Sequence, residues 1–262
     1  MTQTKPNPNP QGRVVLITGA ASGIGAATAR RFMADGWHVA INHVDDGQRA
    51  AAQAVAAGAG QGVKAVPFKG DVTKDADCRA LVAATVAEFG RLDALVNAAG
   101  ISKMVPLADF DGLSPEDFQR IYAVNTIGPF LMMRAAAPHL IATGNGAVVN
   151  ISSRAALTGT GSSIAYAASK GALNTLTLSF ARQLAPNVRV NAVCPALTEQ
   201  GFVERLAPES FAQRKAEQIA RSPLQRIGKP EEVAESIHWL ITSAAMMTGV
   251  CLELDFGLHL NG

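Results

Sequence analysis

The segment Val14-Val15-Leu16-Ile17-Thr18-Gly19-Ala20-Ala21-Ser22-Gly23-Ile24-Gly25 contains the pattern that decides the fold. Its first four residues form a continuous apolar run, which is typical of a strand buried on both faces of a parallel sheet. Residues 26–34 predict a helix directly after the glycines. Three glycines between a strand and a helix let the backbone approach a pyrophosphate at the helix N-terminus. A tight turn with close helix–strand packing would explain the same glycines.

Strands and helices alternate along the rest of the chain. The apolar runs predict strands over 38–41, 64–68, 92–96, 146–151, 188–193 and 251–254. Helices are predicted over 48–58, 75–89, 163–184 and 230–243, with a further one that Ser114 caps and that runs through Asn125 towards His139. This alternation predicts an α/β fold with a doubly wound parallel sheet, in a single domain over residues 12–262. Residues 1–11, with three prolines, are expected to form a disordered tail.

Composition excludes several classes of function. A net charge of +2 over 262 residues argues against a nucleic-acid partner. No apolar run is long enough to span a membrane, and no secretory signal precedes the first strand. Cys78, Cys194 and Cys251 lie apart in apolar contexts, as expected of free thiols in the cytoplasm and not of a disulfide framework or a metal site.

A tyrosine and a lysine in the second half of the chain form a candidate catalytic pair. Tyr166 and Lys170 are four residues apart, so they share one face of the predicted helix, and Ser153 lies thirteen residues before the tyrosine. An ammonium near a phenol lowers the tyrosine pKa, and a shift from about 10 to about 7 needs roughly 4 kcal/mol. Such a tyrosine can exchange a proton near neutral pH. A core tyrosine beside a solvated lysine is the alternative interpretation.

Three polar residues allow two interpretations each. His43, at the end of the second strand, occupies the place where an acid would select NAD, and otherwise it is a solvent-facing turn residue. Asp71 could accept a hydrogen bond from the adenine amino group, or cap the next helix. Asn125, in an apolar stretch, is either a satisfied core amide or part of a proton path.

Taken together, these motifs resemble those of the classical short-chain dehydrogenase/reductase family, over nearly all of residues 12–260. The resemblance rests on motifs that occur in order: Thr18-Gly19, Gly23-Ile24-Gly25, Asp71, Asn97-Ala98-Ala99-Gly100, Asn125, Ser153, Tyr166 and Lys170. It implies a Rossmann-like fold and hydride transfer between a nicotinamide cofactor and a carbonyl or secondary alcohol.

The resemblance also implies a role for each matching residue. Tyr166 would be the general acid/base, Lys170 would bind the nicotinamide ribose and lower the tyrosine pKa, Ser153 would bind the substrate oxygen, and Asn125 would hold a proton-relaying water. NADP or NAD is the implied cofactor, with NADP preferred because position 43 is not acidic. The implied cofactor-binding residues are Gly19, Ser22, Gly23, Ile24, Gly25, His43, Asp71, Val72, Asn97, Ala98, Gly100, Tyr166, Lys170, Pro195 and Thr198.

Three positions depart from the family pattern. Pro195 is followed by Ala196 instead of glycine, and Gln200 stands where a threonine is frequent, with Thr198 two residues early. Phe256 replaces a glycine after Asp255. These departures bear on how the cofactor carboxamide is held and on a subunit contact.

The substrate pocket is expected from residues 102–107, 155–163 and 196–206. The segment from Glu199 to Lys229 is amphipathic and charged, and it predicts one or two mobile helices that could form a substrate lid. The lining would be mainly apolar, which favours a largely apolar small molecule. Its expected members are Met104, Val105, Leu157, Leu197, Phe202 and Val203, with Arg154 and Glu199 as the charged exceptions. A 3-oxoacyl thioester reductase, an enzyme of other chemistry with tightly held cofactor, and a non-catalytic nucleotide-binding protein are the alternatives. The resemblance further implies a homo-oligomer, a tetramer or a dimer, built on helices near residues 109–139 and 161–184.

Overall fold

A seven-stranded parallel sheet forms the centre of the computed structural model. The structure describes residues 12–261, with the side chains of Phe202 and Asn261 left out, so the predicted tail over residues 1–11 lies outside the described part. The sheet has the order β3-β2-β1-β4-β5-β6-β7. The strands are β1 (Val14–Ile17), β2 (His38–His43), β3 (Ala65–Lys69), β4 (Ala94–Asn97), β5 (Gly146–Ile151), β6 (Val188–Pro195) and β7 (Cys251–Leu254).

Helices cover both faces of the sheet. The α-helices are α1 (Gly23–Ala34), α2 (Arg49–Ala56), α3 (Asp75–Phe89), α4 (Pro115–Tyr122), α5 (Gly128–Ala142), α6 (Ala155–Thr158), α7 (Ile164–Leu184), α8 (Phe202–Leu206), α9 (Pro208–Arg221) and α10 (Pro230–Thr242). A π-helical segment, Ala123–Ile127, joins α4 to α5. In the part of the chain that the structure describes, no helix is long and apolar enough to cross a membrane.

Alternate side chains of β1 point into two separate cores. Val15 and Ile17 belong to the cluster that packs with Phe32 of α1 and Ile237 of α10. Leu16, on the opposite face, packs with the cluster from α3 and α5 that includes Leu81, Met132 and Leu140. Because both faces are buried, the strand reads as a continuous apolar run, as the sequence predicts.

Several predicted bounds are confirmed, and others move. The structure has α3, β5 and β7 at the predicted residues, and Ser163 caps α7 by accepting from the N–H of Tyr166. The helix predicted from Ser114 through Asn125 towards His139 is confirmed as one continuous helical run from Pro115 to Ala142, and the π-helical segment lies within it. The helix predicted over 48–58 starts with a short 3-10 turn and ends at Ala56.

The strands β2 and β3 are added on one side of β1, whereas β4 to β7 are added on the other side. The direction in which the chain crosses the sheet therefore reverses between β1 and β4. In open parallel sheets, ligands bind in the crevice at the carboxyl ends of the strands beside such a reversal. The glycine segment after β1 and Ala98–Gly100 after β4 both lie there.

Candidate active site

The glycine segment makes a close backbone crossing that only glycine allows. Gly19 has φ +61°, and a Cβ there would lie 2.7 Å from the Cα of Ala99. A Cβ on Gly25 would lie 2.5 Å from the carbonyl oxygen of Gly19. The first turn of α1 therefore sits directly on the loop, and the helix N-terminus faces the crevice with N–H groups that suit an anion.

Two polar side chains hold this loop. The Thr18 hydroxyl accepts from the N–H groups of Ala98 at 3.0 Å and Ala99 at 3.1 Å, and so ties the loops after β1 and β4 together. Asn42 accepts from the N–H of Gly19 through its Oδ1 at 3.3 Å and donates to the carbonyl of Gly70 at 2.9 Å. Sequence reasoning missed Asn42, although a polar residue in an apolar strand was a usable signal.

His43 faces neither the crevice nor solvent. It is 3% exposed, and its Nδ1 lies 2.9 Å from the carbonyl oxygen of Asp45. The interpretation of His43 as a solvent-facing turn residue is therefore wrong. His43 is also absent from the lining of the cleft, which includes Asn42, Val44 and Gln48. Side chains alternate along β2, which sends Asn42 to the crevice side and His43 to the other.

Asp71 lines the cleft, but it does not cap α3, because Lys74 holds the N-cap position. Its Oδ1 accepts from the N–H of Thr73 at 3.0 Å and from the Thr73 hydroxyl at 2.8 Å. Burial acts to raise the pKa of Asp71, and these hydrogen bonds outweigh it, so the pKa lies below its usual value. The helix-capping interpretation of Asp71 is wrong.

Asn97 lies below the cleft floor instead of in its lining. Its Nδ2 donates to the Oδ1 of Asn150 at 2.8 Å, and Asn150 in turn donates to the Thr177 hydroxyl at 2.9 Å. The Oδ1 of Asn97 is buried without a hydrogen-bond partner among the described residues. This buried chain connects β4, β5 and α7 beneath the candidate catalytic residues.

Ser153 and Tyr166 meet in the cleft, as their spacing predicts. The Ser153 hydroxyl accepts from the N–H of Ala155 at 3.1 Å and is hydrogen-bonded to the Tyr166 phenol. Burial raises the pKa of Tyr166 to about 12, and the bond to Ser153 opposes that rise. The expected lowering of this pKa by Lys170 is not seen, because burial of the phenol dominates.

Lys170 lies beside the tyrosine, with its Nζ 5.7 Å from the centroid of the Tyr166 ring. The Nζ donates to the carbonyl oxygen of Ile151 at 2.7 Å, and the side chain is buried. Burial lowers the pKa of Lys170 to about 8. The alternative of a solvated lysine is therefore wrong. An ammonium has three donors, so further acceptors in the cleft can bind to it.

Asn125 holds the loop after β4 against α7. Its Oδ1 accepts from the N–H of Ile101 at 2.9 Å, and its Nδ2 donates to the Ile101 carbonyl at 2.9 Å and to the Ser169 hydroxyl at 3.1 Å. The side chain is a satisfied amide in the π-helical segment, and π-bulges are frequent at functional sites. It lies behind the cleft lining, next in the chain to the lining residue Val124.

One cleft of about 820 Å³ unites these features. Its lining includes both the glycine loop and the Ser153–Tyr166 pair. Of the predicted cofactor-binding residues, it is lined by Gly19, Ser22, Gly23, Ile24, Gly25, Asp71, Val72, Ala98, Gly100, Tyr166, Lys170, Pro195 and Thr198, and not by His43 or Asn97.

The expected apolar pocket is only partly realised. Val105, Leu197 and Val203 line the cleft, whereas Met104 and Leu157 do not, and the side chain of Phe202 lies outside the described part. Glu199 pairs with Lys215 at 2.8 Å outside the lining. Sequence reasoning also missed the polar face of α9 and one arginine of α8: Arg205, Arg214, Glu217, Gln218 and Arg221 all line the cleft.

Arg154 lines the cleft but is not directed to solvent. Its Nε lies 3.3 Å from the Oδ2 of Asp255, which is 3% exposed. Asp255 also accepts from the N–H groups of Gly257 and His259. Glu253, Asp255 and His259 come within 4.8 Å of one another, but the carboxylate of Asp255 is engaged by these donors. The group fixes the C-terminal segment next to Ser153.

The residues present fit a nicotinamide dinucleotide. The glycine loop allows a pyrophosphate to approach the start of α1, and a buried lysine with available donors stands at the other end of the cleft. The hydroxyl of Ser153 and the phenol of Tyr166 mark the place of the reacting oxygen. The arrangement can bind a carbonyl oxygen and give it a proton.

The comparisons with known proteins agree with this assignment. Residues 19–259 match the family described as "Enoyl-(Acyl carrier protein) reductase". The cis-4-hydroxycyclohexanecarboxylate dehydrogenase of Sinomonas cyclohexanicum is 38% identical over 94% of this chain and 96% of its own. The 3-oxoacyl-(acyl-carrier-protein) reductase of Thermotoga maritima is 36% identical over 95% and 98%. The crystal structure of a 3-ketoacyl-(acyl-carrier-protein) reductase from Brucella melitensis complexed with NADH is 34% identical, with a TM-score of 0.84 over 95% and 99%.

The fold and the cleft thus define an NAD(P)-dependent oxidoreductase that acts on alcohols or ketones. The chain belongs to the short-chain dehydrogenase/reductase family.

Proposed function

We propose that the chain interconverts a ketone and a secondary alcohol on a largely apolar small molecule, with Tyr166 as the proton donor and acceptor. The observation that carries this proposal is the hydrogen bond between Ser153 and Tyr166 at the end of the cleft opposite the glycine loop. The nicotinamide cofactor supplies or accepts the hydride when bound. The chain's own residues orient the substrate oxygen and move its proton.

In the direction of reduction, Ser153 and Tyr166 would both donate hydrogen bonds to the carbonyl oxygen. The pKa of Tyr166 near 12 keeps the phenol protonated at neutral pH, as a donor requires. When the carbonyl carbon gains a hydride, the oxygen becomes an alkoxide and takes the phenol proton. The resulting phenolate would be stabilised by the ammonium of Lys170 nearby.

Lys170 would bind the ribose hydroxyls next to the nicotinamide with the donors not directed to Ile151. Asn125 would support the proton path indirectly, since its amide fixes Ile101 and Ser169 around α7. In this assignment Asn125 is a positioning residue, because its side chain does not line the cleft.

We infer a preference for NADP(H) over NAD(H). Asp45 and Asp46, which could have faced the adenosine ribose, are engaged elsewhere. Asp45 accepts from the N–H of Gln48, and Asp46 pairs with Lys69 at 2.7 Å. A cation stands at this end of the cleft, since Arg205 Nη1 lies 3.4 Å from the Ser22 hydroxyl. Replacing Arg205 with glutamine should weaken NADPH binding more than NADH binding in parallel titrations.

A 3-oxoacyl thioester reductase is the second candidate. The relative from Thermotoga maritima, which is 36% identical, is named for that reaction. The dehydrogenase from Sinomonas cyclohexanicum favours the first candidate, since its name specifies a small cyclic hydroxy acid. Both candidates use the same proton chemistry on a carbonyl oxygen.

The proposal includes a cytoplasmic homo-oligomer, a tetramer or a dimer. The three cysteines, Cys78, Cys194 and Cys251, are free thiols, which supports a reducing compartment. Apolar side chains on the segments expected to form the interface are exposed, among them Phe110, Ile127 and Leu178. Light scattering coupled to size-exclusion chromatography measures the assembly directly, and a monomer would contradict this part of the proposal.

The experiment that tests the function is a substrate panel with four nicotinamide forms. Ketones, 3-oxoacyl thioesters and secondary alcohols are assayed by nicotinamide absorbance with the wild type and with Tyr166→Phe. We expect turnover of a ketone or alcohol that falls by about two orders of magnitude in the variant, because the proton donor is gone. Turnover near the wild-type value in the variant would exclude Tyr166 as the donor, and activity on thioesters alone would favour the second candidate.

A further inference from the structure

One face of α9 places basic side chains along the cleft. Arg214, Gln218 and Arg221 all line it. They are four and three residues apart, so they share one helix face and span about 10 Å at 1.5 Å per residue. None of the residues of α9 is buried, so this cationic face is not required to build a core.

Gln218 fixes this face relative to the reacting end of the cleft. Its Oε1 accepts from the N–H of Leu197 at 3.0 Å, and its Nε2 lies 3.5 Å from the carbonyl oxygen of the same residue. Leu197 follows directly after the end of β6, whose Pro195 also lines the cleft. The arginines one turn before and after Gln218 thus belong to a helix face that is tied to this segment and lines the cleft.

Cationic side chains outnumber acidic ones in the lining of the cleft. The lining has five cationic residues and two acidic ones, Asp71 and Glu217. Asp71 is at the opposite end, beside Thr73, and Arg154 is paired with Asp255. Glu217 accepts from the amide of Gln213 at 2.8 Å. Arg214 is half-buried, and within residues 12–261 no carboxylate forms an ion pair with it.

We propose that Arg214, supported by Arg221, forms a subsite for a carboxylate at the end of the substrate remote from the reacting carbonyl. This inference rests on the proposed function, since the same substrate must present its carbonyl to Ser153 and Tyr166. A guanidinium binds a carboxylate with two parallel hydrogen bonds, and such charge-assisted bonds are stronger than neutral ones. The body of the substrate would lie against Val105, Leu197 and Val203, so the preferred substrate is an apolar oxo acid.

The cofactor phosphates are the other anions that could use this face. Arg205 contacts Ser22 of the glycine segment, where the cofactor phosphates are expected. The hydrogen bond between Gln218 and Leu197 instead holds α9 beyond the end of β6. The two possibilities make different predictions: a carboxylate subsite changes discrimination between substrates, whereas a phosphate contact changes cofactor affinity.

The test compares oxo acids with their uncharged methyl esters. We use 4-oxopentanoate, 5-oxohexanoate and 6-oxoheptanoate with NADPH, and measure kcat/KM for each acid and ester. For at least one chain length, the wild type should prefer the acid by about tenfold, equivalent to about 1.4 kcal/mol. Arg214→Gln should remove most of this preference through a loss on the acid alone, and Arg221→Gln should reduce it.

Lys215→Gln is the matched control, because it removes one positive charge from the same helix. Lys215 pairs with Glu199 and is not part of the cleft lining. The acid-to-ester ratio of this variant should stay at the wild-type value. A loss equal to that of Arg214→Gln would mean that the general potential of the lid, and not a subsite, sets the preference, which would overturn the proposal.

Binding measurements separate this inference from the proposed function. Calorimetric titration of the NADPH complex of Tyr166→Phe with each acid and ester measures binding affinity and does not require turnover. Tighter binding of an acid, lost in the double variant with Arg214→Gln, supports the subsite even if no compound is reduced, and that result would count against the proposed reaction. Equal binding of acids and esters, or a change confined to NADPH affinity, overturns the subsite.

Discussion

The Nζ of Lys170 donates a hydrogen bond of 2.7 Å to the carbonyl oxygen of Ile151, at the carboxyl end of β5. Burial lowers the pKa of this ammonium from 10.5 to about 8. Between these values the unfolded chain binds more protons than the folded one, so stability contributed by this group rises with pH. The cost of burying the charged lysine is present at neutral pH and is relieved above pH 8.

Replacement of Lys170 by methionine should therefore alter the pH dependence of stability. At about 1.4 kcal/mol per pH unit, the free energy of unfolding of the wild type should rise relative to the variant by roughly 2 kcal/mol between pH 7 and pH 9.5. Tyr166, whose pKa is about 12 in the folded protein, changes the free energy of unfolding by only about 0.2 kcal/mol in this window. Urea unfolding of both proteins at the two pH values measures the difference, and a constant difference would contradict the assignment.

The hydroxyl of Ser153 should matter for turnover, and that of its neighbour Ser152 should not. Ser153→Ala removes the hydrogen bond that opposes the rise in the Tyr166 pKa, so the pKa should rise further and kcat should fall by about 100-fold. The Ser152 hydroxyl instead donates to the Lys170 carbonyl at 3.3 Å. Steady-state kinetics from pH 6 to pH 10 compare the two alanine variants. A larger loss in Ser152→Ala would reverse the assignment.

Asn125 should affect stability first and activity through it. Asn125→Ala leaves the part-buried N–H and carbonyl groups of Ile101 without their partner, and each polar group left unpaired away from water costs about 1–3 kcal/mol. Thr126→Val is the control, because it removes a single hydrogen bond, from the Thr126 hydroxyl to the Ser169 carbonyl. We expect a loss of about 3 kcal/mol in urea unfolding for the first variant and about 1 kcal/mol for the second. Equal losses would show that the two hydrogen bonds between Asn125 and Ile101 do not contribute to stability.

The ion pair between Arg154 and Asp255 should stabilise the fold near the cleft. Asp255→Ala leaves the largely buried guanidinium without its carboxylate, and removal of one partner of a buried pair costs about 3 kcal/mol or more. The pKa of Asp255 is held below its usual value by hydrogen bonds that outweigh burial. Its contribution is present above the unfolded pKa near 3.8 and is lost as the pH falls through the lower folded value. Thermal unfolding at pH 7 and pH 3 should thus separate wild type and variant more widely at pH 7.

The alternation of strands and helices could be predicted from the sequence because it depends on local rules. β1 is apolar on both faces, and α4 begins with the Ser114 and Asp117 capping box that its sequence specifies. The Ser153–Tyr166 meeting also follows from spacing along the chain, once β5 and α7 are placed. These features need no knowledge of distant contacts.

Other features depend on distant contacts that a single sequence does not contain. The π-helical segment holds Asn125, whose partners Ile101 and Ser169 come from separate parts of the chain. The pKa of Tyr166 follows from burial, which no spacing rule reports. The cationic face of α9 has helical spacing in the sequence, but only the packing of Gln218 on Leu197 turns it towards the cleft.

Gly25 should be the least replaceable residue of the glycine segment. A Cβ at this position would lie 2.5 Å from the carbonyl oxygen of Gly19 and 3.0 Å from the Cα of Ala20, and both atoms belong to the backbone. Gly25→Ala must therefore push α1 away from the loop, and overpacking of this kind costs about 1–3 kcal/mol. Because the loop then misplaces the N–H groups at the start of α1, NADPH affinity should fall by about tenfold, or about 1.4 kcal/mol. Gly60→Ala is the matched control, since nothing lies within 4 Å of a Cβ there. Urea unfolding and NADPH fluorescence titration of both variants measure the two effects, and wild-type affinity in Gly25→Ala would show that the close crossing does not shape the cofactor site.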